Sequence, residues 1–115
     1  MLARKHQNTT FILAHWGARL PAHVHFGASI RAQRNVFYDT AASPLLYHSA
    51  VFHEIVSLVP ERVLFGSDYP LVLYPKHELE PAVSSFVKEI RALGLSDEYT
   101  SAVLSGNARR LFKLV

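Results

Sequence analysis

Three short apolar runs, each about 25 residues from the next, set the terms on which this 115-residue chain can fold. They are Phe11-Ile12-Leu13-Ala14, Val36-Phe37-Tyr38 and Val63-Leu64-Phe65. Each is rich in strand formers, and enough chain lies between successive runs for a helix. Antiparallel neighbours need only a few connecting residues, whereas parallel strands need a crossover of this length. The spacing therefore predicts right-handed βαβ units and a parallel sheet. Each run also ends near a group that can do chemistry. The first meets His15, the second Asp39, and the third breaks at Gly66 and presents Asp68 between Ser67 and Tyr69-Pro70.

The intervening segments read as follows. Thr9-Thr10 give the first strand a β-branched entry, and Gly17 and Pro21 bracket a loop. A helix is expected over 22–33, with Val24, Ala28 and Ile30 apolar and Asn35 as its stop. Ser43 as cap and Pro44 at the first helical position open a second helix that reaches about residue 58. Its apolar stripe is Leu46, Ala50, Phe52, Ile55, Val56 and Val59, and Pro60 ends it. Residues 71–79, which include Pro75, read as a loop over the sheet. The stretch 81–93 is amphipathic, with Val83, Phe86, Val87 and Ile90 inward, and Gly94 terminates it. Ser96-Asp97-Glu98 opens a short helix, and Gly106-Asn107 is expected to close it and cap a last helix over 108–113.

At this length the chain is one domain at most. Half of its residues are hydrophobic, a globular composition that excludes disorder. No apolar run approaches the roughly 18 residues of a bilayer span, so no membrane role is expected. The first residues are too polar in their sequel for a secretory signal, and a cytoplasmic address follows. Cysteine is absent, which removes disulfides and thiolate metal sites. The formal net charge is +3, its basic residues are dispersed, and no aromatic-studded basic stripe appears, so no nucleic acid partner is expected.

Residues just past the C-terminal ends of parallel strands gather on one face, so His15, Asp39 and Asp68 are expected on a common rim. One imidazole and two carboxylates there can bind a divalent metal, relay protons, or both. Each has a plainer reading beside it. His15 next to Trp16 can be a hydrogen-bonded structural histidine, Asp39 can form an Asx-turn, and Asp68 can cap or turn the chain. Other histidines carry less. His23 and His25 have the spelling of a metal site, but on a helix their rings lie about 200° apart. His48 and His53 diverge by about 140° on the following helix. No phosphate-binding glycine loop, nucleophile elbow or H-E-x-x-H is present.

Four segments together resemble the amidohydrolase-related family of metal-dependent (β/α)8-barrel enzymes, in the branch of aminocarboxymuconate-semialdehyde decarboxylase-like proteins. They are Phe11-Ile-Leu-Ala-His15-Trp-Gly17, Val36-Phe-Tyr-Asp-Thr-Ala-Ala-Ser-Pro44, Val63-Leu-Phe-Gly-Ser-Asp68-Tyr-Pro70 and Gly106-Asn-Ala-Arg-Arg-Leu-Phe112. They fall in the family's order over nearly the whole chain. The resemblance implies an α/β fold made of the last three βα units of a barrel plus C-terminal helices, with residues 1–115 a single partial domain. It makes His15 the acid/base and metal-side histidine at the end of the sixth strand. Asp68 becomes the aspartate at the end of the eighth, which ligates the metal or handles the proton of its water. The implied cofactor is a divalent metal, zinc above others. The family's first-strand H-x-H and mid-barrel histidine have no counterpart here, and His23 and His25 fall at the wrong place to replace them.

The reading that results is the C-terminal part of a metal-dependent hydrolase or non-oxidative decarboxylase, inactive by itself, whose small-molecule substrate is carboxylated or cyclic. Arg19, on the loop after His15, is a candidate for the substrate carboxylate, and Asp39 for a supporting substrate contact. A three-strand wedge exposes sheet edges and an apolar face, so self-association or a missing N-terminal barrel portion is expected as partner. The alternatives are a non-catalytic remnant and a small α/β interaction module.

Overall fold

The apolar runs form one parallel sheet in a computed structural model of the chain, which describes residues 2–43, 47–70, 80 and 82–115. Its strands are β1 (Phe11–Leu13), β2 (Val36–Asp39) and β3 (Val63–Leu64), in the order β1-β2-β3. Phe11 pairs with Val36 and Tyr38 with Val63. β1 and β3 each stop one residue short of their apolar runs for local reasons, whereas β2 extends one residue past its own, through Asp39. After Leu13 the chain turns sharply through His15 and Trp16, and Phe65 donates its N–H to Val103 O at 3.0 Å instead of extending the ladder.

An N-terminal helix, α1 (Leu2–Lys5), was not anticipated from the sequence. Asn35 ties it down: its Nδ2 lies 3.1 Å from Ala3 O, 3.0 Å from His6 O and 2.8 Å from Thr9 O. The helix expected over 22–33 is broken. A 3₁₀ turn covers Leu20–Ala22, His23 is extended (φ −69°, ψ 131°), and only α2 (Gly27–Arg31) is helical. Gly27 permits this arrangement, because a Cβ there would lie 2.6 Å from Pro21 O.

Ser43 is helical where the Ser43-Pro44 signal set a start, but the helix expected to reach residue 58 is interrupted, with His48 extended before helix α3 (Ser49–Leu58). Residues 44–46 and the expected loop over 71–79 lie outside the described residues. Within α3, Phe52, Ile55 and Val56 are buried, as the apolar stripe requires. Helix α4 (Val83–Arg91) buries Phe86 and Ile90, and Gly94 follows it with φ 71°. Ser96 caps α5 (Asp97–Ser101), its Oγ accepting the Tyr99 N–H at 3.1 Å.

The break expected at Gly106-Asn107 does not occur. The chain passes through a π-helical segment (Ala102–Gly106) into α6 (Asn107–Leu111), and Gly106 is helical at φ −58°. Asn107 is fully buried, and its Nδ2 donates to Pro60 O and Val63 O at 2.8 Å each. A π turn re-aims the residues that follow it, here setting an amide over the start of β3.

Strand alternation decides the two faces of the sheet. Val36, Tyr38 and Val63 point into a core with Trp16, Phe52, Ile55, Val56, Ile90 and Val103. Ile12 points the other way and is 42% exposed. The helices thus cover one face. No helix among the described residues is long and apolar enough to cross a membrane.

Candidate active site

Because β1, β2 and β3 run in one direction, His15, Asp39 and Asp68 emerge at the same end of the sheet. The loops after the strands are then fastened to one another. Asp39 Oδ1 accepts the N–H of His15 and that of Ala41, both at 3.0 Å. The Asx-type turn expected of Asp39 therefore also reaches across to the next strand end. His15 is gripped a second time, with its Nδ1 2.9 Å from Ala41 O. A carbonyl oxygen only accepts, so Nδ1 carries the proton and the lone pair is left on Nε2.

The turn that aims His15 needs specific neighbours. His15 and Trp16 take left-handed φ values of 56° and 57°, and Gly17 follows at 61°. A Cβ on Gly17 would stand 2.6 Å from Tyr38 Cδ1, so only glycine passes here. Trp16 is fully buried and stacks on Phe52, with centroids 4.6 Å apart and planes 9° from parallel. Its Nε1–H donates to Ser43 Oγ at 2.6 Å, and the Ser43 hydroxyl donates to Thr40 O. The β2 loop is joined to β3 in turn. Thr40 Oγ1 donates to Gly66 O at 2.9 Å and accepts the Gly66 N–H at 3.0 Å.

Asp68 lies two residues past Gly66, exposed, with φ 59°. Tyr69 N–H donates to Ser67 Oγ at 3.2 Å beside it. Arg19 is exposed, has φ 63°, and lines a concavity of about 470 Å³ with Ala18, Ala22, His23, Val24 and His25. The helical phase expected for His23 and His25 is not what separates them. Their rings lie 5.9 Å apart, and His23 Nδ1 accepts the His25 N–H at 3.2 Å, so that nitrogen is occupied. His48 and His53 are both exposed, and only His53 is on a helix.

The structure thus brings His15 and Asp39 into direct contact and sets Asp68 on the same rim, with Arg19 on the loop above. Thr40, Ala41 and Ser43 fasten the site, and the residue pattern gave them no such role. A small polar residue directly after a strand-ending acid was the signal available. Among the described residues, no group of three or more His, Cys, Asp or Glu side chains forms a metal cluster. His15 and Asp68 are suitable donor types, but a catalytic zinc usually takes three protein ligands. The residues present fit part of such a site.

Comparison with known proteins adds the family. The chain is 30% identical over 126 residues to 6-methylsalicylic acid decarboxylase acuB of Aspergillus aculeatus, covering 95% of this chain and 37% of that protein. Its fold is similar to that of a dihydroxybenzoic acid decarboxylase from Polaromonas sp. JS666, solved with manganese and the inhibitor 2-nitroresorcinol. That similarity has a TM-score of 0.72 at 17% identity, over 98% of this chain and 36% of the other. It is likewise similar to an amidohydrolase from Burkholderia multivorans solved with zinc, with a TM-score of 0.70 at 19% identity, over 99% of this chain and 47% of the other. The chain therefore spans little more than a third of the curated relative's length. Residues 1–114 match the amidohydrolase family, and the chain belongs to it.

Proposed function

We propose that this chain is the C-terminal part of a metal-dependent amidohydrolase-family enzyme, contributing the last three βα units of a (β/α)8 barrel. The substrate class is a small carboxylated ring, in line with relatives named for 6-methylsalicylic and dihydroxybenzoic acids. Non-oxidative decarboxylation is the preferred chemistry, and hydrolysis is the second option. The observation that carries this reading is the His15 ring, fixed at Nδ1 by Ala41 O and free at Nε2 on the rim it shares with Asp68.

In that role His15 takes up a proton at Nε2 and returns it to the carbon that keeps the electron pair as CO₂ departs. Asp39 holds the His15 backbone through Oδ1, and its second oxygen is the candidate for a supporting substrate contact. Arg19 meets the substrate carboxylate by a charge-assisted hydrogen bond. Asp68 would hold a divalent ion, zinc by preference, together with ligands from outside this chain, and His15 Nε2 would join it only while that nitrogen carries no proton. When bound, such an ion supplies Lewis-acid polarisation of a substrate oxygen or a water.

Zinc titration of the chain by calorimetry tests the site. Saturable binding that is lost in both His15→Ala and Asp68→Ala supports it, and binding unchanged in both variants sinks it. A non-catalytic piece that folds into an assembly is the second reading, favoured by the 42% exposure of Ile12 on the uncovered sheet face. No zinc binding, combined with concentration-dependent association in sedimentation, selects that reading.

A further inference from the structure

The other end of the sheet holds a second concentration of charge. Arg31 and Arg34 precede β2, Arg62 precedes β3, and Arg110 sits on α6. With Phe37 and Glu61 they line a concavity of about 370 Å³. Four guanidiniums face one carboxylate there, an excess equal to the formal net charge of +3 carried by the entire chain.

Three of these guanidiniums are held in place by neutral oxygens. Arg62 donates from Nη1 to Gln33 O at 2.5 Å and from Nη2 to Arg31 O at 2.7 Å. Arg31 Nη1 donates to Pro21 O at 2.6 Å. Arg110 Nη2 donates to Glu61 O at 2.8 Å and to Asn107 Oδ1 at 3.0 Å. A carbonyl fixes the geometry of a guanidinium but cancels none of its charge. With about five N–H donors on each guanidinium, Arg31 and Arg110 keep most of theirs available. Burial lowers the pKa of Arg62, Tyr38 and Glu61 oppose that shift, and the charge of Arg34 adds to it. Arg34 itself is exposed and makes no such tie among the described residues, so tying loops together does not account for it.

We propose that this hollow binds a small phosphorylated molecule, at the end of the sheet opposite the candidate active site. A lone carboxylate carries one charge and would leave most of the excess standing. A phosphate or diphosphate brings two or more charges and several acceptor oxygens, which guanidinium forks engage in pairs. Three of the four forks are already positioned, so only the Arg34 side chain has to be ordered on binding.

Titrating the 115-residue chain with inorganic pyrophosphate at constant ionic strength tests the site. We expect saturable binding that weakens at least tenfold in the Arg34→Gln/Arg110→Gln variant. The Arg4→Gln/Arg91→Gln variant removes the same charge elsewhere and should stay within twofold of the parent. Equal weakening in both variants, or no saturation, overturns the proposal. So does binding to phosphatidylglycerol vesicles without binding to pyrophosphate, because the phosphate would then belong to a lipid surface. Circular dichroism checks the fold of each variant. Should the double variant fail that check, Arg34→Gln alone must weaken binding at least threefold, and a smaller effect counts against the site.

Discussion

The two ends of this short sheet hold their connecting segments by opposite means. At the C-terminal ends the chain is bent through left-handed residues. His15, Trp16, Ala18, Arg19, Ala42 and Asp68 all have φ between 50° and 63°, and among the described non-glycine residues with positive φ only Lys113 lies elsewhere. Each such residue costs about 1 kcal/mol relative to a right-handed backbone. At the N-terminal ends long polar side chains reach over to free carbonyls instead. Asn35, Arg62, Asn107 and Arg110 all donate in this way. One end spends stability to hold a geometry, and the other supplies it. That division is the one expected where chemistry belongs at the C-terminal rim and stability at the opposite face.

The largest effect should come from the stabilising end. Asn107→Leu leaves the carbonyls of Pro60 and Val63 buried without donors and should cost about 3 kcal/mol in urea unfolding. A loss below that of any rim variant would reverse the comparison. At the rim, Gly17→Ala should cost about 2 kcal/mol, from the Tyr38 ring contact and the positive φ together. Asp39→Ala should cost about 1.5 kcal/mol, since the N–H groups of His15 and Ala41 lose their common acceptor. Asp39→Asn should recover most of that loss, because an amide oxygen still accepts both. Failure of asparagine to recover it would show that the carboxylate acts by charge and not as a brace.

The smallest effect belongs to neither end. Glu89 on α4 has a buried Oε2 with no hydrogen-bond partner among the described residues, and burial raises its pKa from about 4.5 to about 7. The folded chain therefore holds this proton more tightly than the unfolded one. Its contribution to stability is intact below about pH 4.5 and is lost as pH rises through about 7. Glu89→Gln should leave stability unchanged at pH 4 and raise it by about 1 kcal/mol at pH 8, after allowance for the partial exposure of the group. A gain at pH 4 as large as that at pH 8 would point to packing instead of ionisation.

Much of this architecture was legible from periodicity. The three strands fall on their apolar runs, and of the residues that their stripes marked α3 and α4 bury Phe52, Ile55, Val56, Phe86 and Ile90, while Ala50 and Val83 are exposed. The misses have physical sources. The helix expected over 22–33 fails because Gly27 and Pro21 bring the backbone close together, a tertiary contact that no local pattern carries. Gly106-Asn107 reads as a stop by composition, yet Asn107 is spent on the carbonyls of Pro60 and Val63, more than forty residues away in sequence. The rim shows the same limit. Strand ends gave His15, Asp39 and Asp68 their positions, but the Thr40 bridge to Gly66 and the Ser43 bond to Trp16 exist only once the loops have met.

Strand order has a consequence for how the chain acquires its shape. Phe11 and Val36 are separated by 25 positions, and so are Tyr38 and Val63. Each pairing closes one short excursion of the polypeptide, and none has to wait for a distant segment. Such near-neighbour closure is entropically milder than bridging a longer excursion. The sheet can be assembled strand by strand as synthesis proceeds, each addition finding its predecessor already in position.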